Sequence, residues 1–341
     1  DVAYRFFSTD KRKFIVADTP GHEQYTRNMA TGASNADLGI VLIDARKGVL
    51  TQTRRHSFIL SLIGVKHVVL AVNKIDLVGY DADVFSAIEA EYRAFARDLG
   101  FETLAAIPLS ALKGDNILTP SAQTPWYHGP QLVPYLEGIE VATDRVEQSL
   151  RFPVQWVNRP NLDFRGFSGT LASGEVKVGD DILVAASRKP AKVARIVTMD
   201  GDQPSAIAGE AVTLVLDREV DISRGDVLVH PGATPDYSNQ FQARLVWMSD
   251  EQAIPGRSYL LKLGAQQVPA SITALKFRTN VNTLEQTAAK TLELNEVGTV
   301  TIATDKPIAF DSYGDNPLSG SFILIDRISN ATLGAGGIEY G

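Results

Sequence analysis

The apolar residues of the first 110 positions fall into short runs that each stop at a polar cluster. One of them, Val68–Val72, is continuous, as in a strand that is buried on both faces of a sheet. Similar runs at Leu38–Ile43 and Thr103–Leu109 predict two more buried strands. The stretches between them, 51–63 and 81–99, are helix-compatible, and the second has an apolar stripe. Alternation of strands with helices predicts an α/β fold with a parallel, doubly wound sheet.

Two further strands are predicted at the N-terminal end. Residues 1–7 alternate between outward and inward side chains, residues 8–13 are a polar turn, and Phe14–Ala17 is a second apolar run. This pattern is typical of a β-hairpin. Its second strand stops at Asp18, and residues 23–31 are helix-compatible.

Polar clusters follow three of these strands, at residues 18–22, 73–76 and 110–112. Doubly wound sheets bind ligands at the carboxyl ends of their strands. In the second cluster Asn73, Lys74 and Asp76 supply an amide, a cation on an aliphatic stem, and a two-oxygen acceptor. The Asp76 carboxylate can accept from the guanine N1–H and exocyclic amine together, whereas adenine offers no matching pair of donors. The second cluster therefore suits a guanine ring, although alone it is equally an ordinary strand end.

The first cluster suits a magnesium-bound phosphate. A carboxylate at Asp18 can hold Mg²⁺ through its waters, and Gly21 allows its N–H to approach a phosphate oxygen closely. His22 follows, within reach of an attacking water. Taken alone, Asp18 is equally a helix N-cap and His22 a surface histidine. In the third cluster, Ser110–Leu112, backbone N–H groups could donate to a guanine carbonyl, and the three clusters together favour a guanine-nucleotide domain.

The pattern changes in the remainder of the chain. Residues 114–138 are proline-rich and irregular, and a short closing helix is predicted after them. From residue 150 onward the sequence has short β runs with glycine-rich turns, which predict β-barrels. Because Pro231–Pro235 resembles a linker, we predict three domains. They are a GTP-binding domain at 1–146, barrel domain 2 at 147–234 and barrel domain 3 at 235–341.

Composition narrows the function classes. The chain has 33 basic and 40 acidic residues and a net charge of −7, which gives no electrostatic reason to expect a nucleic-acid or membrane partner. It has no cysteine, so disulfides and thiolate metal sites are excluded, and a cytoplasmic location is expected. No apolar run approaches the ~18 residues of a membrane span.

These motifs resemble the elongation-factor-Tu-like GTPases, and within them the large GTPase subunits of bacterial sulfate adenylyltransferase. The resemblance covers nearly the whole chain. The wider family is indicated by the three polar clusters and by Gly169–Asp181 and Arg224–Asp226. The narrower family is indicated by Tyr25–Ser34, Val157–Gly166, Leu245–Met248, Pro255–Tyr259 and Asn282–Glu285.

The resemblance implies roles for individual residues, and GTP with Mg²⁺ as the ligands. At the phosphates, Asp18 would bind Mg²⁺, Gly21 would bind the γ-phosphate and His22 would hold the hydrolytic water. At the base, Asn73 and Asp76 would bind guanine, and Lys74 would contact the base and ribose. Ser110 and Ala111 would bind the guanine carbonyl, and Leu112 would also belong to the GTP site. The segment 23–31 would be the nucleotide-switched partner interface, with Glu23, Gln24, Tyr25 and Arg27 as its candidate residues.

The resemblance also implies a division of labour. A separate small subunit would bind ATP and sulfate, in a heterodimer or larger complex, while GTP hydrolysis here drives formation of adenylyl sulfate and pyrophosphate. The sequence itself has no Ser-Gly-Gly loop and no His-x-x-His pair for a second nucleotide site. Single arginines such as Arg165, Arg257 and Arg278 are expected to be solvated or salt-bridged.

One departure from the family is the absence of a phosphate-binding loop. None of the 27 glycines is followed by lysine, whereas the loop G-x-x-x-x-G-K-[ST] cradles the β and γ phosphates. We expect the sequence to begin downstream of that loop, of the central strand before it and of the first switch. Without the central strand, both adjacent strands should be unpaired and the core open. Two alternatives remain open, a translation-type factor that binds aminoacyl-tRNA and a non-hydrolysing scaffold.

Overall fold

The structure of the protein is a computed structural model that describes residues 2–19, 26–33, 36–141, 144–161, 164–280, 283 and 285–340. The chain divides into two compact units, Asp1–Val141 with Val281–Leu284, and Ala142–Asn280 with Glu285–Gly341. The first unit contains strands and helices, and the second is built mainly of antiparallel strands.

An antiparallel hairpin opens the first unit. Strands β1 (Ala3–Ser8) and β2 (Lys13–Asp18) pair in one register, with Ala3 opposite Asp18. The predicted hairpin is confirmed, but the inward-facing side chains that we expected on β1 are exposed, that of Phe6 among them. The reason is that, within the described chain, the hairpin pairs with no strand outside itself.

A three-stranded parallel sheet follows, in the order β3 (Leu38–Asp44), β4 (His67–Asn73) and β5 (Thr103–Pro108). Residues Val68–Val72 of the central strand are fully buried, as the continuous apolar run predicted. Helix α2 (Thr51–Leu62) packs against β3 and helix α3 (Ala82–Ala96) against β4. The parallel strands with their connecting helices confirm the predicted α/β class.

Strand β3 differs from the prediction of a fully buried strand. Val41 and Ile43 are buried, but Ile40 is 42% exposed and Leu42 is 66% exposed. The buried face lies against α2, so closely that a Cβ on Gly39 would lie 2.7 Å from a methyl group of Leu60. The other face is exposed because β3 is an edge strand of this sheet in the described chain, and neither β1 nor β2 pairs with it.

The described part of the first unit contains three shorter helical segments. They are α1 (Thr26–Ala33), a 3-10 turn (Ile75–Val78) and α4 (Leu132–Gly138).

The second unit begins with helix α5 (Asp144–Glu147) and a group of short strands. They pair antiparallel in the order β6-β15-β10-β11-β14-β8-β7, with β12 on β11 and a separate pair β9–β13. Their bounds are β6 (Phe152–Pro153), β7 (Trp156–Asn161), β8 (Phe164–Thr170), β9 (Glu175–Lys177), β10 (Asp181–Val184), β11 (Pro190–Thr198), β12 (Gly201–Gln203), β13 (Ser205–Ile207), β14 (Ala211–Leu216) and β15 (Val227–Val229).

The C-terminal strands form a closed barrel. Six strands pair antiparallel in the order β17-β21-β22-β16-β20-β18, and pairing of β17 with β18 closes the ring, while β19 extends β18. Trp247, Tyr259 and Phe241 are among the large side chains buried in its core. A barrel is thus confirmed here. The bounds are β16 (Asp236–Trp247), β17 (Ser258–Leu263), β18 (Gln266–Thr279), β19 (Gln286–Thr287), β20 (Val297–Phe310), α6 (Pro317–Gly320), β21 (Ser321–Ile325) and β22 (Thr332–Tyr340).

A buried ion pair joins the two groups of strands within the second unit. Arg151, next to β6, donates to both carboxylate oxygens of Asp311, which follows β20, at 2.7 and 2.8 Å. Asn316 donates to the Ser173 hydroxyl at 2.9 Å, also in a buried position.

Among the described residues, no helix is long and apolar enough to cross a membrane.

Candidate functional site

The carboxyl end of β4 forms a sharp turn that carries the Asn-Lys-Ile-Asp cluster. Asn73 is the last residue of the strand, and Lys74 has a φ of 61°, in the left-handed region that non-glycine residues rarely occupy. Ile75 is fully buried and begins the 3-10 turn. This buried anchor fixes the backbone, so that the flanking polar residues lie at the edge of the sheet.

Asn73 connects the second and third polar clusters. Its side-chain oxygen accepts hydrogen bonds from the backbone N–H of Lys74 at 2.7 Å and of Ala111 at 3.0 Å. Backbone bonds hold the two strand ends together as well, since Ile75 donates to the Leu109 carbonyl at 3.3 Å. Asn73 and the Ser110–Leu112 loop, predicted separately from the sequence, thus form one site.

The Asp76 carboxylate lies beside the same loop. Its side chain is only 7% exposed, and the hydrogen bond from Ser110 is the main cause that lowers the pKa of Asp76 from its usual range, with Lys113 contributing. Because the group stays ionised at neutral pH, it can act only as an acceptor. That is the chemistry that recognition of two guanine donors requires.

The Ser110–Gly114 loop is a closed turn. The Gly114 N–H donates to the Ser110 carbonyl at 2.8 Å, and Gly114 itself has a φ of +81°. The Lys113 N–H donates to the Ser110 hydroxyl at 3.3 Å. Leu112, at the tip, is fully exposed. An exposed apolar side chain beside a polar pocket can cover one face of an aromatic ligand.

Asp44 is a member of the site that our sequence reasoning missed. It ends β3 and lies opposite Asn73 in the parallel register. Its carboxylate accepts from the Lys74 ammonium at 3.1 Å and from Arg46 at 2.6 and 3.0 Å. The hydrogen bond from Arg46 is the main cause that holds the pKa of Asp44 well below its usual range. Asp44 therefore fixes the position of the Lys74 side chain.

Comparison with known proteins identifies the family of the chain. The chain matches the elongation factor Tu GTP binding domain over residues 1–162 and a GTP-eEF1A C-terminal domain-like family over residues 240–339. It is 54% identical over 340 residues to sulfate adenylyltransferase subunit 1 of Laribacter hongkongensis, covering 99% of this chain and 71% of that protein. The chain belongs to the sulfate adenylyltransferase subunit 1 family of elongation-factor-Tu-like GTPases.

Other relatives are longer. The bifunctional enzyme NodQ of Rhizobium sp. (strain N33) is 61% identical over 340 residues, which are 100% of this chain and 53% of that enzyme. The chain thus spans about half the length of several curated relatives that it matches. A crystal structure of sup35 complexed with GDP has a TM-score of 0.55 and 22% sequence identity, and covers 98% of this chain and 83% of that one. This likeness supports the fold.

The predicted phosphate and magnesium residues of this family member are described only in part. Asp18 ends β2, in the hairpin that does not pair with the parallel sheet. Gly21, His22, Glu23, Gln24 and Tyr25 lie outside the described residues, and Arg27 is in α1. Among the residues that are described, no group of three or more acidic or histidine side chains could hold a metal ion. The described residues therefore bring Asn73, Asp76 and the Ser110–Leu112 loop together, and the roles of residues 18–27 stay predictions.

Proposed function

We propose that this chain supplies the guanine-recognising part of the GTPase subunit of a sulfate adenylyltransferase. GTP hydrolysis on it drives the formation of adenylyl sulfate and pyrophosphate from ATP and sulfate on a small partner subunit. The observation that carries the proposal is the hydrogen bond from Ala111 to Asn73 beside the ionised Asp76. It aligns two loops around a pocket whose acceptor suits guanine.

Each base-contacting residue has a chemical role in this proposal. Because the Asn73 oxygen is taken by two backbone donors, its NH₂ group is the part left for an acceptor on the purine ring. Asp76 accepts from N1–H and the exocyclic amine. The guanine carbonyl shares the Ala111 N–H with Asn73, and Ser110 keeps Asp76 oriented. Lys74, held by Asp44, lies along the base and ribose.

The catalytic half of the proposal rests on the family. Asp18 would hold Mg²⁺ through water, and the metal would supply charge stabilisation at the phosphates. Gly21 would donate its N–H to the γ-phosphate, and His22 would orient the hydrolytic water. Residues 23–31, with Arg27 in α1, would change position on loss of the γ-phosphate and carry that change to the partner.

The arginines of the second unit support placing the sulfate chemistry on a partner. Arg257 is paired with Glu251 at 2.7 Å and with Asp326 at 2.8 Å. Arg278 is paired with Glu296 at 2.5 Å, and Arg165 lies over the ring of Phe167. The guanidinium groups of Arg257 and Arg278, which carboxylates already neutralise, have little capacity left for sulfate or ATP phosphates.

Reconstitution tests the division of labour. The full-length protein is given GTP, ATP, labelled sulfate and pyrophosphatase, with and without the small subunit. We expect adenylyl sulfate only when both subunits are present, and faster GTP turnover in that mixture. Adenylyl sulfate made by this subunit alone would refute the division of labour. GTP turnover that is equal with and without the partner would refute the coupling.

A further inference from the structure

Lys113 reaches from the closed turn back over the base-recognising carboxylate. Its ammonium lies 3.5 Å from the Asp76 Oδ2 atom, and the Lys113 side chain is 54% exposed. The turn itself sets this position, because the positive φ of Gly114 and the bond between Gly114 and Ser110 fold residue 113 back toward β4. A cation is therefore already bound at the acceptor that the guanine base would use.

Tyr80 provides a second surface for the same ammonium. Its ring centroid is 5.8 Å from the Lys113 nitrogen, within cation–π distance. The Tyr80 hydroxyl donates to Asp115 at 3.0 Å, and the Trp126 indole N–H donates to the Tyr80 carbonyl at 3.0 Å. Because both ends of the residue are held, the ring is a fixed surface over which Lys113 can move toward or away from Asp76.

We propose that Lys113 competes with the guanine base for Asp76, so that it limits nucleotide affinity and speeds nucleotide release. This inference rests on the proposed guanine site. The base needs both oxygens at once for its two donors, and the ammonium lies at one of them. Guanine entry therefore displaces Lys113 from Asp76, and the Tyr80 ring retains the displaced cation.

The size of the effect follows from exposure. Ion pairs in which one partner is well exposed contribute little, so the competition corresponds to a change of about two- to fivefold in affinity. The pair is also screened by salt, because exposed charges interact weakly at high ionic strength. Salt also weakens nucleotide binding in general, but that effect cancels when the affinity of a Lys113 variant is divided by that of the unsubstituted protein. If this ratio of affinities depends on ionic strength, Lys113 competes for Asp76 and does not have a purely structural role.

The experiment measures GDP dissociation constants and release rates of the full-length protein with a fluorescent GDP analogue. Lys113→Met, which keeps the length of the side chain, should bind about two- to fivefold more tightly and release GDP more slowly. Lys113→Arg should resemble the unsubstituted protein. Lys66→Met is the matched control, since Lys66 forms a surface pair with Glu102 at 2.7 Å, and it should change nothing. The ratio of the GDP dissociation constants of Lys113→Met and the unsubstituted protein should approach one as the KCl concentration rises from about 0.05 to 0.5 M.

A double-mutant cycle assigns the effect to Asp76. In an Asp76→Asn background, measured with xanthosine diphosphate, Lys113→Met should have no effect, because the amide does not attract the ammonium. GDP affinity that is unchanged or weaker in Lys113→Met would overturn the inference while leaving the guanine site intact. Failure of the unsubstituted protein to bind GDP would refute the proposed function, and the inference with it.

Discussion

Replacement of Arg151 by methionine should destabilise the second unit far more than loss of a surface ion pair. The Arg151 side chain is 8% exposed and its partner Asp311 is 14% exposed. Besides its two bonds to Asp311, the guanidinium donates to the backbone carbonyls of Leu150 at 2.9 Å and of Ala233 at 2.7 Å. One side chain thus holds β6, the end of β20 and the predicted linker segment together.

The magnitude follows from what is left behind. Arg151→Met leaves the Asp311 carboxylate in a mostly buried position with only part of its hydrogen bonds, among them the one from Ser319. Removal of one partner of a buried ion pair costs about 3–5 kcal/mol of unfolding free energy. The double replacement Arg151→Met with Asp311→Leu removes the stranded charge. It should therefore recover part of the lost stability but not all of it, because the Leu150 and Ala233 carbonyls still lose their donor.

Urea denaturation followed by tryptophan fluorescence measures these differences, since Trp247 is buried in the closed barrel. Urea is preferred to guanidinium chloride because an ionic denaturant would screen the pair itself. Arg244→Met is the matched control. Arg244 pairs with Glu339 at 2.8 Å but is 45% exposed, so its replacement should cost below about 1 kcal/mol. If Arg151→Met costs no more than Arg244→Met, or if the double replacement is worse than the single one, the reasoning is wrong.

The remaining predictions concern the nucleotide. Asp76→Asn replaces one acceptor by a donor, so GTP affinity should fall by several kcal/mol while preference shifts toward xanthine nucleotides; unchanged GTP binding would remove Asp76 from the site. Asn73→Ala removes two hydrogen bonds that align the loops, so GDP binding should weaken by about 1–3 kcal/mol. The amide hydrogen of Ala111 should also exchange faster. His22→Ala should bind GTP normally and hydrolyse it slowly in single-turnover assays with the partner present; normal turnover would exclude the role.

The strand ends that carry the proposed guanine site could be predicted because they depend on local pattern. The fully buried run Val68–Val72 could only be an inner strand, and a polar cluster after it must lie at the edge of the sheet. Asn73 and Asp76 were placed at this edge in this way, and the structure has them there. The same logic failed for β3, where Ile40 and Leu42 are apolar but exposed. The pattern of apolar residues indicates which side chains a strand could bury. Whether they are buried depends on which neighbouring strands and helices cover them.

Asp44 and Lys113 were missed because their contacts depend on tertiary register. Asp44 reaches Lys74 only because β3 and β4 pair so that Asp44 lies opposite Asn73. Lys113 reaches Asp76 only because Gly114 adopts a positive φ that closes the turn. A polar residue at the end of a neighbouring buried strand was an available signal for Asp44. No comparable signal existed for Lys113, since a lysine in a turn is ordinarily solvated.

The two missed residues have opposite effects on the site, and together they account for its electrostatics. Asp44 holds the Lys74 ammonium at 3.1 Å, in the place where the proposed function has it lie along the base and ribose. Lys113 holds the Asp76 carboxylate at 3.5 Å, which keeps that anion partly neutralised. Each ligand-binding charge is thus paired with an opposite charge before a nucleotide arrives, so neither is left isolated at the sheet edge. Binding exchanges Lys113 for the base at Asp76, and its net free energy is therefore smaller than a sum of the new contacts.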